Sequence, residues 1–383
     1  MKILLVNNTI DPVTGGGSAN RTIQVAEALI NCYGVECTVL STDCGFDGDI
    51  KNLNDKIRIV QLPCINDRYY IPLFNWKRLK DLLSKVDAIH LMSHWSILNA
   101  IIYVFARLYK KPYTFCPAGT LHIYGRSSLL KKCYNFVIGK KIIKNAYLCI
   151  AITELEKQDF LIYDIPEEKL IIIPNGIDSE IFYPNYDASF KFQQRFNLIN
   201  IPYVLYMGRL NMIKGVDILL NAYKDFFVNF PDLHLVLAGP DEGLGGSLIK
   251  EIKKYSLEKT VHLVGYIEGN DKVGAYTGAK LLVVPSRREA MSIVALEAGA
   301  CGTPVILTTE CGFDEVKEVG CKVVEPLPNE LSYGIQNMLS EQNDLKKVGN
   351  NLRELILRQY TWKKTAEKYF IISGLTTEVS ECY

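Results

Sequence analysis

Short apolar runs recur along the whole chain, each followed by a loop rich in glycine or charge and then by a helical pattern. This alternation limits the fold more than any other feature. Ile3 to Val6, Glu36 to Leu40, Ile57 to Leu62, Ala88 to Met92, Pro112 to Phe115, Tyr147 to Ile152 and Leu170 to Ile173 read as strands, with a helix from Ala19 to Ile30 after the first. A strand that leads into a helix has no tight turn with which to pair antiparallel, so its neighbours are expected to run parallel to it. The first half therefore reads as an α/β, doubly wound parallel sheet.

Pro174-Asn175-Gly176-Ile177-Asp178, Pro184 and a polar stretch through Asn200 then punctuate the chain with turn residues. Beyond them the pattern restarts. Tyr203 to Met207, Leu233 to Ala238, Val261 to Val264, Leu281 to Val284 and Pro304 to Leu307 are strands, and Val216 to Phe227 and Ser292 to Cys301 are helices. A length of 383 residues suits two cores of common size. The expected organisation is a first Rossmann-like domain over 1–185, a second over 186–360, and a terminal helix over 361–383, anchored by Trp362 and packing back across both domains.

Eleven cysteines without a single CxxC pair suggest reduced thiols in a cytoplasmic setting, and neither a disulfide framework nor a zinc site. The apolar start at Ile3 is too short for a signal peptide, and the stretch from Ile97 to Leu108 is interrupted by Asn99 and Arg107. No membrane span is expected. A formal net charge of +1 gives no global attraction for nucleic acid. The average hides a block from Ala88 to Thr153 that has no acid but holds Arg107, Lys110, Lys111, Arg126, Lys131, Lys132, Lys140, Lys141 and Lys144. Such a block points to an anionic partner on the first domain.

In sheets of this kind the loops at the carboxyl ends of the strands form the binding crevice. Four motifs fall on such loops. Gly208-Arg209-Leu-Asn-Met-Ile-Lys214-Gly215 offers a guanidinium fork and a compact ammonium to a diphosphate. Pro285-Ser-Arg-Arg-Glu289-Ala-Met291-Ser292-Ile293 leads into a helix capped by Ser292, whose first amides suit a phosphate. Glu297 lies on that helix among Val294, Ala295, Leu296, Ala298 and Ala300, so it is expected to be buried and to need hydrogen-bond donors, which ribose hydroxyls would supply. Gly15-Gly16-Gly17 follows the first strand, while Gly265 and Tyr266 follow a later one.

Together with Ile173-Pro-Asn-Gly-Ile-Asp178 and Ala300-Cys-Gly-Thr-Pro-Val305, these motifs resemble the large family-four group of retaining GT-B glycosyltransferases. The resemblance spans nearly the whole chain. It implies two Rossmann-like domains facing across a cleft and transfer of a sugar from a UDP- or GDP-linked donor to a glycan or lipid-diphosphate-linked glycan, in surface polysaccharide or glycoconjugate synthesis. By the same resemblance Arg209 and Lys214 bind the donor diphosphate, Glu297 the ribose and Glu289 the transferred sugar. Gly16, Gly17, Gly265, Tyr266, Met291, Ser292 and Ile293 complete the donor surroundings. The nucleotide sugar is a substrate, and no cofactor, metal or nucleic acid is expected. Asp47-Gly-Asp49 has the loose form of a metal-binding pair, but it lies in a polar loop away from these motifs.

One departure concerns Cys116-Pro-Ala118-Gly-Thr-Leu121, where many relatives carry a histidine or arginine in place of Ala118. His122 is a candidate substitute, and His94 with Trp95 a candidate for the acceptor side. A nucleotide-sugar epimerase or hydrolase on the same fold would need an acid pair beyond Glu289. A non-catalytic partner subunit is disfavoured by the intact Arg209, Lys214, Glu289 and Glu297. A basic, amphipathic helix starting near Ser128, with Ser128, Lys131, Lys132 and Asn135 on one face, suggests peripheral contact with anionic lipid at the inner face of the membrane through Arg126, Lys131, Lys132, Lys140, Lys141 and Lys144.

Overall fold

The computed structural model describes residues 1–11, 14–45, 56–123, 127–340 and 344–381, with side chains through 376. Asp47, Asp49 and Arg126 lie outside the described residues. The chain forms two compact units, Met1–Asn175 together with Trp362–Tyr383, and Gly176–Thr361. The first break thus falls within the Pro174–Asp178 turn, about ten residues before the expected boundary, and the terminal helix is part of the first unit.

The first unit is built on strands β1 (Lys2–Val6), β2 (Glu36–Thr42), β3 (Arg58–Leu62), β6 (Ala88–Met92), β7 (Tyr113–Cys116), β8 (Leu148–Ala151) and β9 (Leu170–Ile172), with a two-stranded antiparallel hairpin of β4 (Cys64–Asn66) and β5 (Ile71–Pro72) beside them. The seven strands are ordered β3-β2-β1-β6-β7-β8-β9 and every pairing is parallel. Ile3, Leu4, Leu5 and Val6 are fully buried. A strand apolar on both faces is what a central position covered by helices on each side requires. The helix Gly16–Tyr33 ends at Gly34, whose left-handed φ of 62° lets its amide reach the carbonyl of Ile30 at 3.0 Å.

The terminal helix Trp362–Glu381 lies against the helix Gly16–Tyr33. Tyr33 and Phe370 stack at 4.5 Å, and the fully buried Arg21 donates to the carbonyls of Ile173 (2.7 Å) and Pro174 (3.0 Å), to Asn175 Oδ1 (2.7 Å) and to the Tyr369 hydroxyl (3.4 Å). The four bonds satisfy the two terminal nitrogens, which makes burial of the charge tolerable.

The second unit holds β10 (Tyr203–Met207), β11 (His234–Ala238), β12 (Val261–Gly265), β13 (Leu281–Val284), β14 (Val305–Thr308) and β15 (Lys322–Val324), ordered β12-β11-β10-β13-β14-β15 and again all parallel. Among the described residues no helix is long and apolar enough to cross a membrane.

Two histidines inside the first unit make its stability pH-dependent. Burial holds the imidazole of His90 down to about 3, between Thr114 Oγ1 at 2.6 Å and Ser373 Oγ at 2.9 Å. His94, lowered to about 4 chiefly by burial, has its Nε2 2.8 Å from Asn135 Oδ1. A histidine whose folded pKa lies below its unfolded value contributes fully above the unfolded pKa, about 6.5, and that contribution is lost as pH falls toward the folded value. Between pH 7 and pH 5 the wild type should therefore lose about 2 kcal/mol of stability relative to a His90→Gln variant, which has no proton to take up on unfolding. Urea unfolding of both proteins at the two pH values measures this, and a constant difference would contradict it.

Candidate functional site

Because every pairing in the second sheet is parallel, the carboxyl ends of its strands share one edge, and the loops after β10, β11, β13 and β14 meet there. The amide of Gly208 donates to the carbonyl of Ala238 (2.9 Å) and that of Leu210 to Pro240 (2.8 Å). Arg287 donates to Ile213 and Glu289 to Glu310, each at 2.8 Å. Two glycines permit this packing. A Cβ at Gly215 (φ 70°) would lie 1.9 Å from the carbonyl oxygen of Pro285, and one at Gly239 (φ 144°) 1.8 Å from that of Gly208. The strand order reverses between β10 and β13, the place where sheets of this type bind ligands. Lys214 follows the one strand and Glu289 the other.

Their side chains meet. Lys214 Nζ lies 3.1 Å from Glu289 Oε1, and the Ser286 hydroxyl donates to Glu289 Oε2 at 3.0 Å. Lys214 is further placed by its amide, which donates to Asn211 Oδ1 at 2.9 Å. Arg209 pairs with Glu242 at 3.1 Å in the open, where its side chain keeps 57% exposure. The carboxylate of Glu242 also accepts from Asn211 Nδ2 at 2.8 Å, and these bonds hold it below the usual carboxylate range, the Asn211 bond first. Both cations expected to meet a diphosphate are thus paired with carboxylates. The Arg209–Glu242 pair, exposed on both sides, contributes little, so exchanging its acid for a phosphate costs little.

Glu297 is buried, as its apolar neighbours required, at 6% exposure. The protein itself satisfies the carboxylate. Lys272 Nζ stands 2.7 Å away and the Tyr276 hydroxyl donates at 2.6 Å, both from the helix Gly269–Gly278. Burial first, and Glu297 second, push the Tyr276 phenol well above its ordinary value, so it remains a donor. Lys272 and Tyr276 were not among the residues singled out from sequence; the only sign of them was their four-residue spacing on one helix face. Ser292 caps the helix Ile293–Ala300 by accepting from the Ala295 amide, and Met291 and Ser292 are buried at its entrance. Tyr266, after Gly265 at φ 74°, is 67% exposed, with its hydroxyl 3.1 Å from Glu268 Oε2.

In the first unit, Gly16 and Gly17 open the helix after β1, and among the described residues nothing lies within 4 Å of where a Cβ on either would stand. His94 does not line an acceptor surface. Its ring is fully buried among Trp95, Phe115, Tyr134 and Tyr163, because the helix that supplies Asn135 and Tyr134 closes over it. His122 is half-buried and pairs with Asp159. Ala118 and Gly119 take consecutive left-handed conformations, φ 48° and 86°, and the Gly119 amide donates to Glu156. Burial raises the carboxyl of Glu156 to about 7, against the pull of the Ile152 and Gly119 amides.

The basic segment also differs from expectation. The helix Ser128–Tyr134 passes into a π-helical turn, Asn135–Gly139, before Lys140–Lys144. Asn135 points inward to His94 and Tyr163, while Leu129 (73%), Phe136 (88%) and Val137 (64%) are exposed beside the exposed Lys132, Lys140 and Lys141.

Residues 189–355 match the family model described as glycosyl transferases group 1, and residues 15–181 match that of glycosyltransferase family 4. The chain belongs to the group 1, family 4 glycosyltransferases. A D-inositol 3-phosphate glycosyltransferase of Corynebacterium jeikeium is 31% identical over 185 residues, 45% of this chain and 44% of that protein's length. An uncharacterized glycosyltransferase of Methanocaldococcus jannaschii is 25% identical over 99% of both chains. Among solved structures, HepE of Anabaena with UDP and glucose superposes with a TM-score of 0.77 at 18% identity, covering 97% of this chain and 99% of that one. Sucrose-phosphate synthase of Thermosynechococcus elongatus superposes at 0.77 and 23% identity, covering 99% and 100%. The fold of this glycosyltransferase is accordingly GT-B.

The loop packing of the glycosyltransferase is testable at one atom. Gly215→Ala should cost roughly 2 kcal/mol or more, since a left-handed non-glycine residue costs about 1–2 kcal/mol before the contact with Pro285 is counted. Gly246→Ala, in open space within the helix Gly245–Lys254, should be neutral or slightly stabilising. Equal unfolding midpoints for the two variants would contradict the described approach of the loops.

Proposed function

We propose that this glycosyltransferase moves a sugar, with retention of anomeric configuration, from a UDP- or GDP-linked donor to a hydroxyl of a glycan or lipid-diphosphate-linked glycan, in surface polysaccharide or glycoconjugate synthesis. The observation that carries the reading is the gathering of Lys214, Glu289, Arg209 and, at the neighbouring helix, Glu297 along the carboxyl edge of one parallel sheet. The bond from the anomeric carbon to the phosphate oxygen breaks and its electron pair leaves with the nucleoside diphosphate. The acceptor oxygen joins the anomeric carbon from the same face, and its proton passes to the departing phosphate.

Negative charge develops on the leaving group, and Arg209, Lys214 and the first amides of the helix Ile293–Ala300 are suited to stabilise it. Arg209 exchanges Glu242 for the diphosphate. Lys214 shifts from Glu289 toward the phosphates, freeing that carboxylate to accept from sugar hydroxyls. Glu297 accepts from Lys272 on one oxygen and from Tyr276 on the other, and each oxygen keeps a further lone pair for the ribose. Arg209 and Lys214 supply at the phosphates the positive charge that a divalent ion would otherwise bring. With a donor found by thermal shift across UDP-, GDP- and ADP-sugars, Arg209→Ala and Lys214→Ala should each lower turnover about a hundredfold or more, and less than additively together. Turnover in excess EDTA should need no added manganese or magnesium. Near-normal turnover in either folded variant, or activity restored only by those ions, would contradict the mechanism.

The acceptor reading rests on the surface around Phe136, where exposed apolar side chains are ringed by lysines. An interfacial segment buries its apolar groups below the headgroups while its cations meet anionic lipid. The enzyme should sediment with acidic vesicles at low salt, release as salt rises, and ignore neutral vesicles. Charge reversal at Lys131, Lys132, Lys140 and Lys141 together should abolish binding, and Phe136→Ser should weaken it at low salt. Both variants should keep donor affinity, because their changes lie in the first unit. Failure of the wild type to sediment would direct the search to a soluble acceptor.

A further inference from the structure

Outside the donor loops, one cluster of side chains joins residues far apart in sequence. Cys44 Sγ, Cys64 Sγ and a carboxylate oxygen of Asp67 all lie within 4.8 Å of one another. The backbone fixes the two thiols. Where the chain leaves β2 and β3, the Asp43 amide donates to the carbonyl of Leu62 at 3.1 Å, and the Cys64 amide donates to Asp43 Oδ1 at 2.7 Å. Cys44 is buried and its thiol faces the Asp67 carbonyl at 3.6 Å, Cys64 is half-buried, and Asp67 is exposed. Among the described residues the set is therefore closed on the protein side and open on the other.

We propose that Cys44, Cys64 and Asp67 bind a zinc ion, with water as the fourth ligand. Two thiolates and one carboxylate are a donor set that zinc accepts, and a tetrahedral ion with bonds of roughly 2.0–2.3 Å needs ligand atoms roughly 3.5 Å apart. Rotation of the half-buried Cys64 and exposed Asp67 side chains closes the remaining gap. On binding, both thiols lose their protons to the buffer and the ion carries two sulfur bonds, so no oxidant or reductant is involved. The spacing of the two cysteines resembles no short zinc motif, and only the parallel pairing of β2 with β3 brings them together.

The cluster also touches the glycine-rich loop. Thr9 Oγ1 donates to the carbonyl of Cys44 at 2.9 Å, and a Cβ on Gly45 would lie 2.7 Å from Thr14 Oγ1, which in turn donates to Asp11 Oδ2 at 2.7 Å. An ion at Cys44 clips the base of the segment leading to Gly15 and Gly16 to the β4–β5 hairpin. Its role is structural, within the first unit, and separate from the donor chemistry of the second.

Titration of the reduced full-length protein with Co²⁺ tests the site by its thiolate-to-metal charge-transfer band, and Zn²⁺ by the shift in unfolding midpoint. One equivalent of Co²⁺ should give the band and be displaced by Zn²⁺, and Zn²⁺ should raise the midpoint. The band should vanish in Cys44→Ser and in Cys64→Ser. Asp67→Asn, a change at an exposed side chain that leaves the fold intact, should weaken Co²⁺ affinity roughly tenfold or more. Absence of the band in the wild type, its persistence in the Cys44→Ser/Cys64→Ser double variant, or unchanged affinity in Asp67→Asn would overturn the assignment.

Discussion

Parallel pairing is the constraint from which the rest of this structure follows. A parallel strand cannot be joined to its neighbour by a tight turn, so the strands of both sheets are joined by longer crossover connections. All carboxyl ends then lie on one edge, and the reversal of strand order beside β10 leaves room there for loops instead of a further strand. Lys214 and Glu289 are 75 residues apart in the chain and 3.1 Å apart in space for this reason alone. The glycines at 215 and 239 are needed because the loops, once gathered, approach backbone to backbone.

The first unit adds a second requirement, since the chain leaves it at Asn175 and returns at Trp362. Arg21 meets both ends of that excursion, through the carbonyls of Ile173 and Pro174 just after β9 and the Tyr369 hydroxyl on the returning helix. Thr365 adds a bond to the same Pro174 carbonyl at 3.1 Å. A fully buried guanidinium on the helix Gly16–Tyr33 with its partners drawn from two other segments makes the three interdependent, because removing either partner segment strands a charge in the interior. Residues 176–361 are therefore an insertion whose two ends are fixed to a single buried side chain's surroundings.

Much of this was legible in the residues. The period of the apolar runs located the strands, and the glycine and charge motifs after β10 and β13 located the candidate site. Glu297 could be placed as buried from its neighbours, and Ser292 as a cap from its position ahead of the helix. What the sequence concealed were contacts between distant segments. Lys272 and Tyr276 serve Glu297 from a helix that ends well before it, His94 was covered by a helix whose docking no local pattern reveals, and nothing local to Arg21 marks it as buried. The segment after Ser128 misled for a different cause: a wheel drawn at 3.6 residues per turn assumes a regular helix, and the π turn at Asn135 shifts its phase. The outcome was an inward asparagine and outward apolar residues.

The central claim is that the carboxyl edge of the second sheet holds a nucleoside diphosphate, with Glu297 on the ribose. Calorimetric titration of UDP and GDP into the wild type and into Glu297→Gln addresses it before any acceptor is known. The substitution keeps the side-chain volume and the Tyr276 partnership while removing the charge that accepts from ribose hydroxyls, so affinity for whichever nucleotide binds should fall about tenfold or more, in line with the ~1.5–3 kcal/mol of a charged hydrogen bond. Equal affinity of the two proteins, or no binding of either nucleotide by the folded wild type, would contradict the account.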